Sequence, residues 1–441
     1  MSSRYFSNRQ INYLEKGSIL IENGIPVIES PVISLNGVQD GNHRYLDFNM
    51  DILHRGLLFT GGTGYGKTFL ITEIVQRLRE LNEPYSMVII DTKGDYVSKL
   101  YRTGDVIIGA DTYSSLYPDS YNIWNLFCDI TYDGWQDDVI APISMEVVKK
   151  LFEDKENQSQ KFFVDAAIVL LHAVIMKYIR DGRESLNKRA KMSNKGLLDF
   201  FLSYKEEDYL SLVNETKEAG ILRMVLGNSR NNQALGVLGQ TVIQMITTFI
   251  GAFGGIGNFS IREFANEKND KCLFVEVDPM YLESQSRIYG LLINLLFSQL
   301  ESRNNSNGNI IVIMDELPLL GRIKLPEALN FGRGKGLVAL AGFQTISQLY
   351  DIYGEYKAEN LIAGLSSKFF FHSNDNLTSK YIAESFGKNK GTNVRISAGG
   401  CYVNERKENV ICESDLYSLG EGDFICSLLN SVPFRFKVLG G

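Results

Sequence analysis

Runs of apolar residues that are typical of buried strands alternate along this chain with stretches of helical apolar spacing. The first such run, at 57–59, is followed by a helical pattern over 69–78. Further strand-like runs occupy 87–90, 272–275, 310–314 and 337–343. This alternation predicts an α/β fold with a mainly parallel central sheet.

The middle of the chain has a different pattern. Helical spacing recurs at 162–171, 197–201 and 242–246, without strand-like runs between them. We therefore predict an all-α domain at 141–265, inserted into an α/β domain built from 50–140 and 266–441. Short alternating runs broken by Gly and Pro predict a β-rich cap or edge of that domain at 1–49.

A glycine-rich turn stands between the first strand and the first helix of the α/β domain. It matches the phosphate-binding pattern of Gly, four residues, then Gly-Lys-Ser/Thr. Its residues are Gly61, Gly62, Thr63, Gly64, Tyr65, Gly66, Lys67 and Thr68. Backbone N–H groups and the helix N-terminus would face a phosphate, with Lys67 at the β- and γ-phosphates and the Thr68 hydroxyl on Mg²⁺. A turn that fits the pattern by chance is the alternative, which the flanking strand and helix disfavour.

A second nucleotide-site signature closes the apolar strand at 310–314. The next two residues are Asp315 and Glu316. Asp315 is predicted to act at the magnesium site, and Glu316 to orient and deprotonate a water that attacks the γ-phosphate. A strand ending in an acid is weak evidence alone, but together with the glycine-rich turn it predicts hydrolysis.

Two more polar residues are candidates for the same site. Gln344 directly follows the apolar strand at 337–343, and at this strand end its amide could sense the γ-phosphate or hold the water. The alternative is a solvated residue that opens the next helix. Arg333 precedes that strand and could reach a neighbouring subunit's γ-phosphate as an arginine finger, although the residues alone favour a surface arginine.

Charge and composition narrow the classes of partner. The formal net charge is 45 − 52 = −7 and the pI is about 5.4, so a nucleic-acid site would have to be a local basic patch. The most basic stretch, 188–195, is interpreted as a solvated interhelical loop rather than a DNA contact. The uncharged segment 231–260 is interrupted by Gln, Thr and Gly, so we predict a buried helix there and no transmembrane segment in this chain.

Cysteine and histidine usage points to no metal cluster. The five cysteines lie far apart without a CxxC pair, and the four histidines are equally scattered. This is typical of a protein from a reducing cytoplasm.

Four strings in this order resemble a known family: the glycine-rich turn, then 91–95 (Asp-Thr-Lys-Gly-Asp), 315–321 and 342–354. The most specific are Asp-Glu-x-Pro-x-Leu-Gly and Phe-Gln-x-x-x-Gln-Leu-x-x-x-Tyr-Gly. They resemble the type IV secretion coupling proteins, which are conjugative DNA-pumping ATPases of the FtsK/HerA superfamily. The resemblance covers roughly residue 50 to the end of the chain.

The resemblance implies a RecA-like P-loop NTPase domain interrupted by an all-α substrate-recognition domain and assembled as a homo-hexamer. It implies ATP and Mg²⁺ as ligands, and single-stranded DNA with its relaxase as the substrate delivered to type IV secretion channel components. By position it makes Lys67 and Thr68 the phosphate and magnesium ligands and Asp315 the magnesium-site acid. The same comparison makes Glu316 the catalytic acid, Gln344 the γ-phosphate sensor and Arg333 the finger acting in trans.

One departure and three alternatives stay open. Most members of this family open with transmembrane helices, which this sequence lacks, so it represents either a membrane-free branch or a chain without its membrane region. We expect a cytoplasmic protein that docks peripherally at the inner face of the cell membrane. The alternatives are a secretion receptor ATPase for protein effectors, a double-stranded DNA pump, and a scaffold that binds ATP without turnover.

Overall fold

The computed structural model describes residues 21–22, 25–81, 83–152, 161–203, 232–249, 251–267, 270–303, 308–397 and 400–439. Residues 1–20 of the predicted N-terminal segment and 204–231 of the predicted all-α domain lie outside the described residues. Contacts divide the chain into two compact units. The first comprises Met1–Glu83, Ile311–Pro318 and Leu325–Gly441, and the second comprises Pro84–Ile310 and Leu319–Lys324.

The strands, numbered along the chain, have the following bounds: β1 Ile21–Glu22, β2 Ile25–Pro26, β3 Ile33–Gln39, β4 Asn42–Phe48, β5 Leu57–Thr60, β6 Tyr85–Asp91, β7 Val106–Gly109, β8 Lys271–Glu276, β9 Asn309–Met314, β10 Leu337–Phe343, β11 Ser367–Phe370, β12 Lys388–Ser397, β13 Gly400–Asn409, β14 Asp423–Ser427 and β15 Phe434–Val438.

The helices are α1 Met50–His54, α2 Lys67–Leu78, α3 Asp95–Leu100, α4 Leu126–Ile130, α5 Asp137–Leu151, α6 Lys161–Glu184, α7 Leu186–Arg189, α8 Asn194–Leu202, α9 Asn232–Thr248, α10 Ile261–Asn266, α11 Leu282–Ser302, α12 Leu325–Gly332, α13 Ile346–Tyr353, α14 Glu355–Gly364, α15 Asn376–Ser385 and α16 Glu413–Tyr417.

Strand β5 lies near the centre of the sheet in the first unit. The strand order there is β4-β3-β15-β14-β11-β5-β10-β9, and β5 is parallel to both β10 and β11. Every residue of β5 and β10 is buried, which is typical of strands covered on both faces of a sheet. From β11 outwards to β4 the pairings are antiparallel, so the predicted N-terminal β-structure forms an edge of this sheet.

Aromatic packing holds β5 against β11. The ring of Phe59 stacks on that of Phe369 with centroids 4.9 Å apart, and Phe369 also contacts Phe48 and Phe424. All four rings are fully buried. Burial of each ring stabilises the fold by about 2–3 kcal/mol relative to exposure. The packed strand β5 therefore fixes the position at which the glycine-rich turn begins.

The second unit combines a small parallel sheet with helices. Its strands have the order β6-β8-β7, and both pairings are parallel. Every described element between Asp137 and Thr248 is a helix, in agreement with the predicted all-α character of that part of the chain. The Gln244 side chain donates to the Leu151 carbonyl (2.7 Å) and so ties α9 to the end of α5. The domain limits at 49, 140 and 265 stay predictions.

One described helix, α6, is long and apolar enough to cross a membrane by length and composition. This helix lies outside the uncharged segment 231–260. Of its most apolar 18 residues, 56% are buried within the protein. Because the core helix of a soluble protein passes the same test, α6 is weak evidence against the prediction that the chain has no transmembrane segment.

Candidate active site

The glycine-rich turn joins β5 to α2, as the motif requires. Gly66 is the N-cap of α2 and has φ = 103°, in the left-handed region that side chains rarely adopt. The N–H of Gly61 donates to the Phe343 carbonyl (3.4 Å), and the N–H of Gly62 donates to the His372 carbonyl (2.7 Å). The start of the turn is therefore anchored to the last residue of β10 and to a residue that closely follows β11.

Lys67 is folded back over the turn. Its side chain is 7% exposed, and its ammonium donates to the carbonyls of Gly61 (2.8 Å) and Phe343 (3.4 Å). A buried ammonium needs acceptors, and these two neutral carbonyls are among them. Phosphate oxygens placed beside the turn would offer this ammonium stronger, charge-assisted hydrogen bonds.

Thr68, in the first turn of α2, forms a hydrogen bond with Asp315, the residue directly after β9. The Thr68 hydroxyl donates to the Asp315 carboxylate (2.6 Å), and Asp315 is 8% exposed. A Cβ on Gly342, in β10, would lie 2.3 Å from the Asp315 carbonyl oxygen, so only glycine allows β10 this close to the end of β9. Hydroxyl and carboxylate oxygens are the hard ligands that Mg²⁺ prefers. The pair fits the predicted magnesium site.

Glu316 and Gln344 are joined directly. The side-chain amide nitrogen of Gln344 donates to the Glu316 carboxylate (2.9 Å). The Thr63 hydroxyl donates to the side-chain amide oxygen of Gln344 (3.3 Å). The predicted base, the predicted sensor and the turn thus form one hydrogen-bonded chain of side chains. The alternative that Gln344 is only a solvated helix-opening residue is disfavoured.

Arg333 lies apart from this group in the described hydrogen bonds. It pairs with Asp51 of α1 (2.5 Å), which also pairs with Arg55 (3.1 Å). Partial burial raises the pKa of Asp51, but the two arginines outweigh it and hold that pKa below its ordinary value. The Arg333 side chain is 51% exposed, so its role as a finger in trans stays a prediction.

An aromatic pair that no local pattern predicts joins Tyr65 of the turn to His372. The Tyr65 ring stacks on the His372 ring with centroids 4.0 Å apart and planes 16° apart. In the sequence, His372 is one of four scattered histidines. The available signal was its position directly after the buried strand run that ends at Phe371.

A buried carboxyl pair in the second unit was also missed. Asp91 and Glu276 are register partners at the ends of β6 and β8. Asp91 accepts from the N–H groups of Tyr96 (2.9 Å) and Val97 (3.0 Å), in the first turn of α3. Burial, with the Asp91 charge added to it, raises the pKa of Glu276 to about 8. Burial and the neighbouring Asp91 charge therefore favour the protonated, neutral form of the Glu276 carboxyl.

Lys188 and Lys195 of the basic stretch at 188–195 form ion pairs within the second unit. Lys188 pairs with Asp181 and Glu184, and Lys195 pairs with Asp199. Arg189 lies 4.2 Å over the Trp135 ring. These contacts favour the interpretation of this stretch as a surface loop.

A family model with the description "Type IV secretion-system coupling protein DNA-binding domain" matches residues 43–416. The type IV secretion system-coupling protein VirD4 of Bartonella quintana (strain Toulouse) is 25% identical over 366 residues, 79% of this chain and 55% of the relative. VirD4 of Bartonella henselae is 24% identical over 367 residues, with the same shares covered. The chain thus spans about half the length of these curated relatives.

Solved structures show the same fold. The plasmid coupling protein TrwB in complex with ADP and Mg²⁺ has a TM-score of 0.71 at 20% identity, over 95% of both chains. TrwB in complex with the non-hydrolysable GTP analogue GDPNP has a TM-score of 0.70 at 19% identity, over 94% of this chain and 96% of that one. The predicted α/β fold of the RecA-like P-loop class is confirmed.

Proposed function

We propose a function that proceeds from one fact: this chain belongs to the type IV secretion-system coupling protein family. Within that family we assign it as an ATP-hydrolysing DNA translocase that recruits a relaxase–single-stranded DNA substrate. It drives this substrate into the channel of a conjugative type IV secretion system. The observation that carries the assignment is the group formed by Lys67, Thr68–Asp315 and Glu316–Gln344, which gathers phosphate-, metal- and water-binding side chains at one sheet edge.

ATP and Mg²⁺ are the proposed ligands. On nucleotide binding, Lys67 exchanges its carbonyl acceptors for phosphate oxygens, while the N–H groups of the turn hold the remaining phosphate charge. Thr68 and Asp315 would hold Mg²⁺, whose charge offsets that of the phosphates. The complexes of TrwB with ADP and Mg²⁺ and with a GTP analogue support this choice.

Glu316 is proposed as the general base. Its carboxylate is half-buried, next to the predicted metal ligand Asp315. The Gln344 amide fixes one carboxylate oxygen, which orients the base toward a water at the γ-phosphate. Because Gln344 also contacts Thr63 of the turn, it can respond to the presence of the γ-phosphate.

The assembly and the location are proposals made on the basis of the same family. We propose a homo-hexamer formed on nucleotide or DNA binding, located in the cytoplasm and docked peripherally at the inner face of the cell membrane through channel components. Arg333, exposed at the surface of the first unit, would complete the active site of a neighbouring subunit.

For Arg333→Ala, we expect a roughly tenfold loss of ATPase rate in the assembled protein, which corresponds to about 1.4 kcal/mol of transition-state stabilisation. ATP affinity and thermal stability should change little, because an exposed ion pair contributes about 0.2–1 kcal/mol.

Arg55→Ala, which removes the other arginine on Asp51, is the matched control. Mixing Arg333→Ala with Glu316→Gln subunits should restore activity at interfaces that combine an intact base with a neighbour's intact finger. An unchanged rate for Arg333→Ala, or no recovery in mixed rings, would contradict a role in trans.

The substrate is tested by a salt titration of single-stranded DNA binding. Each phosphate that the protein neutralises should contribute about −0.7 to the slope of log affinity against log salt. We expect a clearly negative slope and stimulation of ATP hydrolysis by single-stranded DNA. A slope near zero would favour a receptor for protein effectors, as the net charge of −7 would. Stronger stimulation by duplex DNA would favour the double-stranded pump.

A further inference from the structure

The Tyr65–His372 pair is held in place from its backbone. The Tyr65 carbonyl accepts from the Gly422 N–H (3.1 Å), and the His372 carbonyl accepts from the Gly62 N–H (2.7 Å). His372 Nε2 also lies 2.8 Å from the Asn374 side-chain oxygen. The two rings therefore keep their mutual orientation without a ligand, as a preorganised binding surface does.

Strand order suggests which end of a bound nucleotide would lie near this pair: the end that carries the base. Asp315, Glu316 and Gln344 follow β9 and β10, on one side of β5. Under the proposed function, the γ-phosphate and the attacking water lie on that side. A nucleoside triphosphate is a linear chain from γ-phosphate to base, so its base lies toward the opposite side of β5. There β11 is the neighbour of β5, and His372 follows β11 closely.

The pair differs in exposure from the aromatic residues around it. Phe371 and Phe424 are fully buried and serve the core, whereas Tyr65 and His372 are only half-buried. Because each ring is stacked on the other through one face, a flat aromatic ligand would have to stack on an outer face of the half-buried pair. Stacking of a nucleobase on an aromatic side chain contributes about 1–3 kcal/mol.

We propose that the Tyr65–His372 pair binds the base of a nucleoside triphosphate by stacking, with His372 as the residue that distinguishes a nucleotide from a bare triphosphate. This inference rests on the proposed nucleotide function and adds to it the contact at the base. The competing explanation is that the stack only holds the turn in shape. The two differ in what they predict for a ligand that has phosphates and no base.

The test compares Mg²⁺-ATP with Mg²⁺-tripolyphosphate by calorimetry on the full chain. His372→Ala should weaken ATP binding by about tenfold, the low end of the stacking range, and leave tripolyphosphate affinity unchanged. His372→Phe, which keeps a flat ring, should bind ATP nearly as well as the unchanged protein. His43→Ala is the matched control, because it removes a histidine from another exposed His–Tyr pair, with Tyr45, on edge strand β4.

The outcomes separate this inference from the function on which it rests. Equal weakening of both ligands by His372→Ala would show that the ring holds the turn, and the inference would fail. An unchanged ATP affinity would also overturn it. If the unchanged protein bound neither ATP nor tripolyphosphate, the proposed nucleotide function would itself fail, together with this inference.

Discussion

Replacing Glu316 by glutamine is expected to lower the rate of ATP hydrolysis by about 10²- to 10⁴-fold, with ATP affinity close to that of the unchanged protein. Glutamine has the size of glutamate and can still accept from the Gln344 amide, which lies 2.9 Å from the carboxylate. It cannot take a proton from water. The loss should therefore fall on turnover and not on binding, as measured by steady-state phosphate release and by titration with ATP.

The control for this change is Glu327→Gln, the same substitution at an exposed position of α12. It should leave the rate unchanged. A Glu316→Gln protein that hydrolyses ATP at the normal rate would remove Glu316 from the mechanism. An unchanged protein without ATPase activity under any DNA condition would instead support the scaffold alternative.

Replacing Lys67 by alanine is expected to weaken ATP binding by about 10- to 100-fold and to abolish detectable hydrolysis. The lost hydrogen bonds join an ammonium to charged phosphate oxygens, and such bonds contribute about 1.5–3 kcal/mol. The substitution also removes a donor from the Gly61 carbonyl and one of the two donors to the Phe343 carbonyl. We therefore expect a small loss of thermal stability as well, measurable by the unfolding temperature.

Lys99→Ala, at an exposed position of α3, provides the matched control for the removal of one positive charge. Binding should be measured at a temperature at which both variants are folded. If Lys67→Ala retained normal ATP affinity while folded, the turn would not be the phosphate site. The nucleotide assignment would then have to be abandoned.

The parts of the site that the sequence predicted are those defined by contiguous residues. The turn from Gly61 to Thr68 is recognisable because its backbone shape depends on glycines at fixed spacing, such as Gly66 with its φ of 103°. Asp315 and Glu316 were recognisable because they end an apolar strand, and strand ends in α/β folds carry ligands. In the structure the Thr68 hydroxyl lies 2.6 Å from the Asp315 carboxylate, and their role at a magnesium site stays a prediction.

Residues whose role depends on strand order were harder to predict. Thr63 and Gln344 are 281 positions apart in the chain and meet because β10 is the neighbour of β5. The Tyr65–His372 stack exists because β11 flanks β5 on the other side. Helix α6 is a candidate membrane span by its length and composition alone, although the sequence-based prediction is that the chain has no transmembrane segment.

By itself the sequence determined that this chain carries the pattern of a phosphate-binding turn, an acidic strand end and the strings of a coupling protein, because each depends on side chains at fixed local spacing. Only the tertiary structure decided which distant residues surround that turn: Gln344 on one side, His372 on the other, and Arg333 held at the surface by Asp51. The physical reason is that local spacing fixes backbone conformation, whereas the neighbours of a strand are chosen by the packing of the whole sheet.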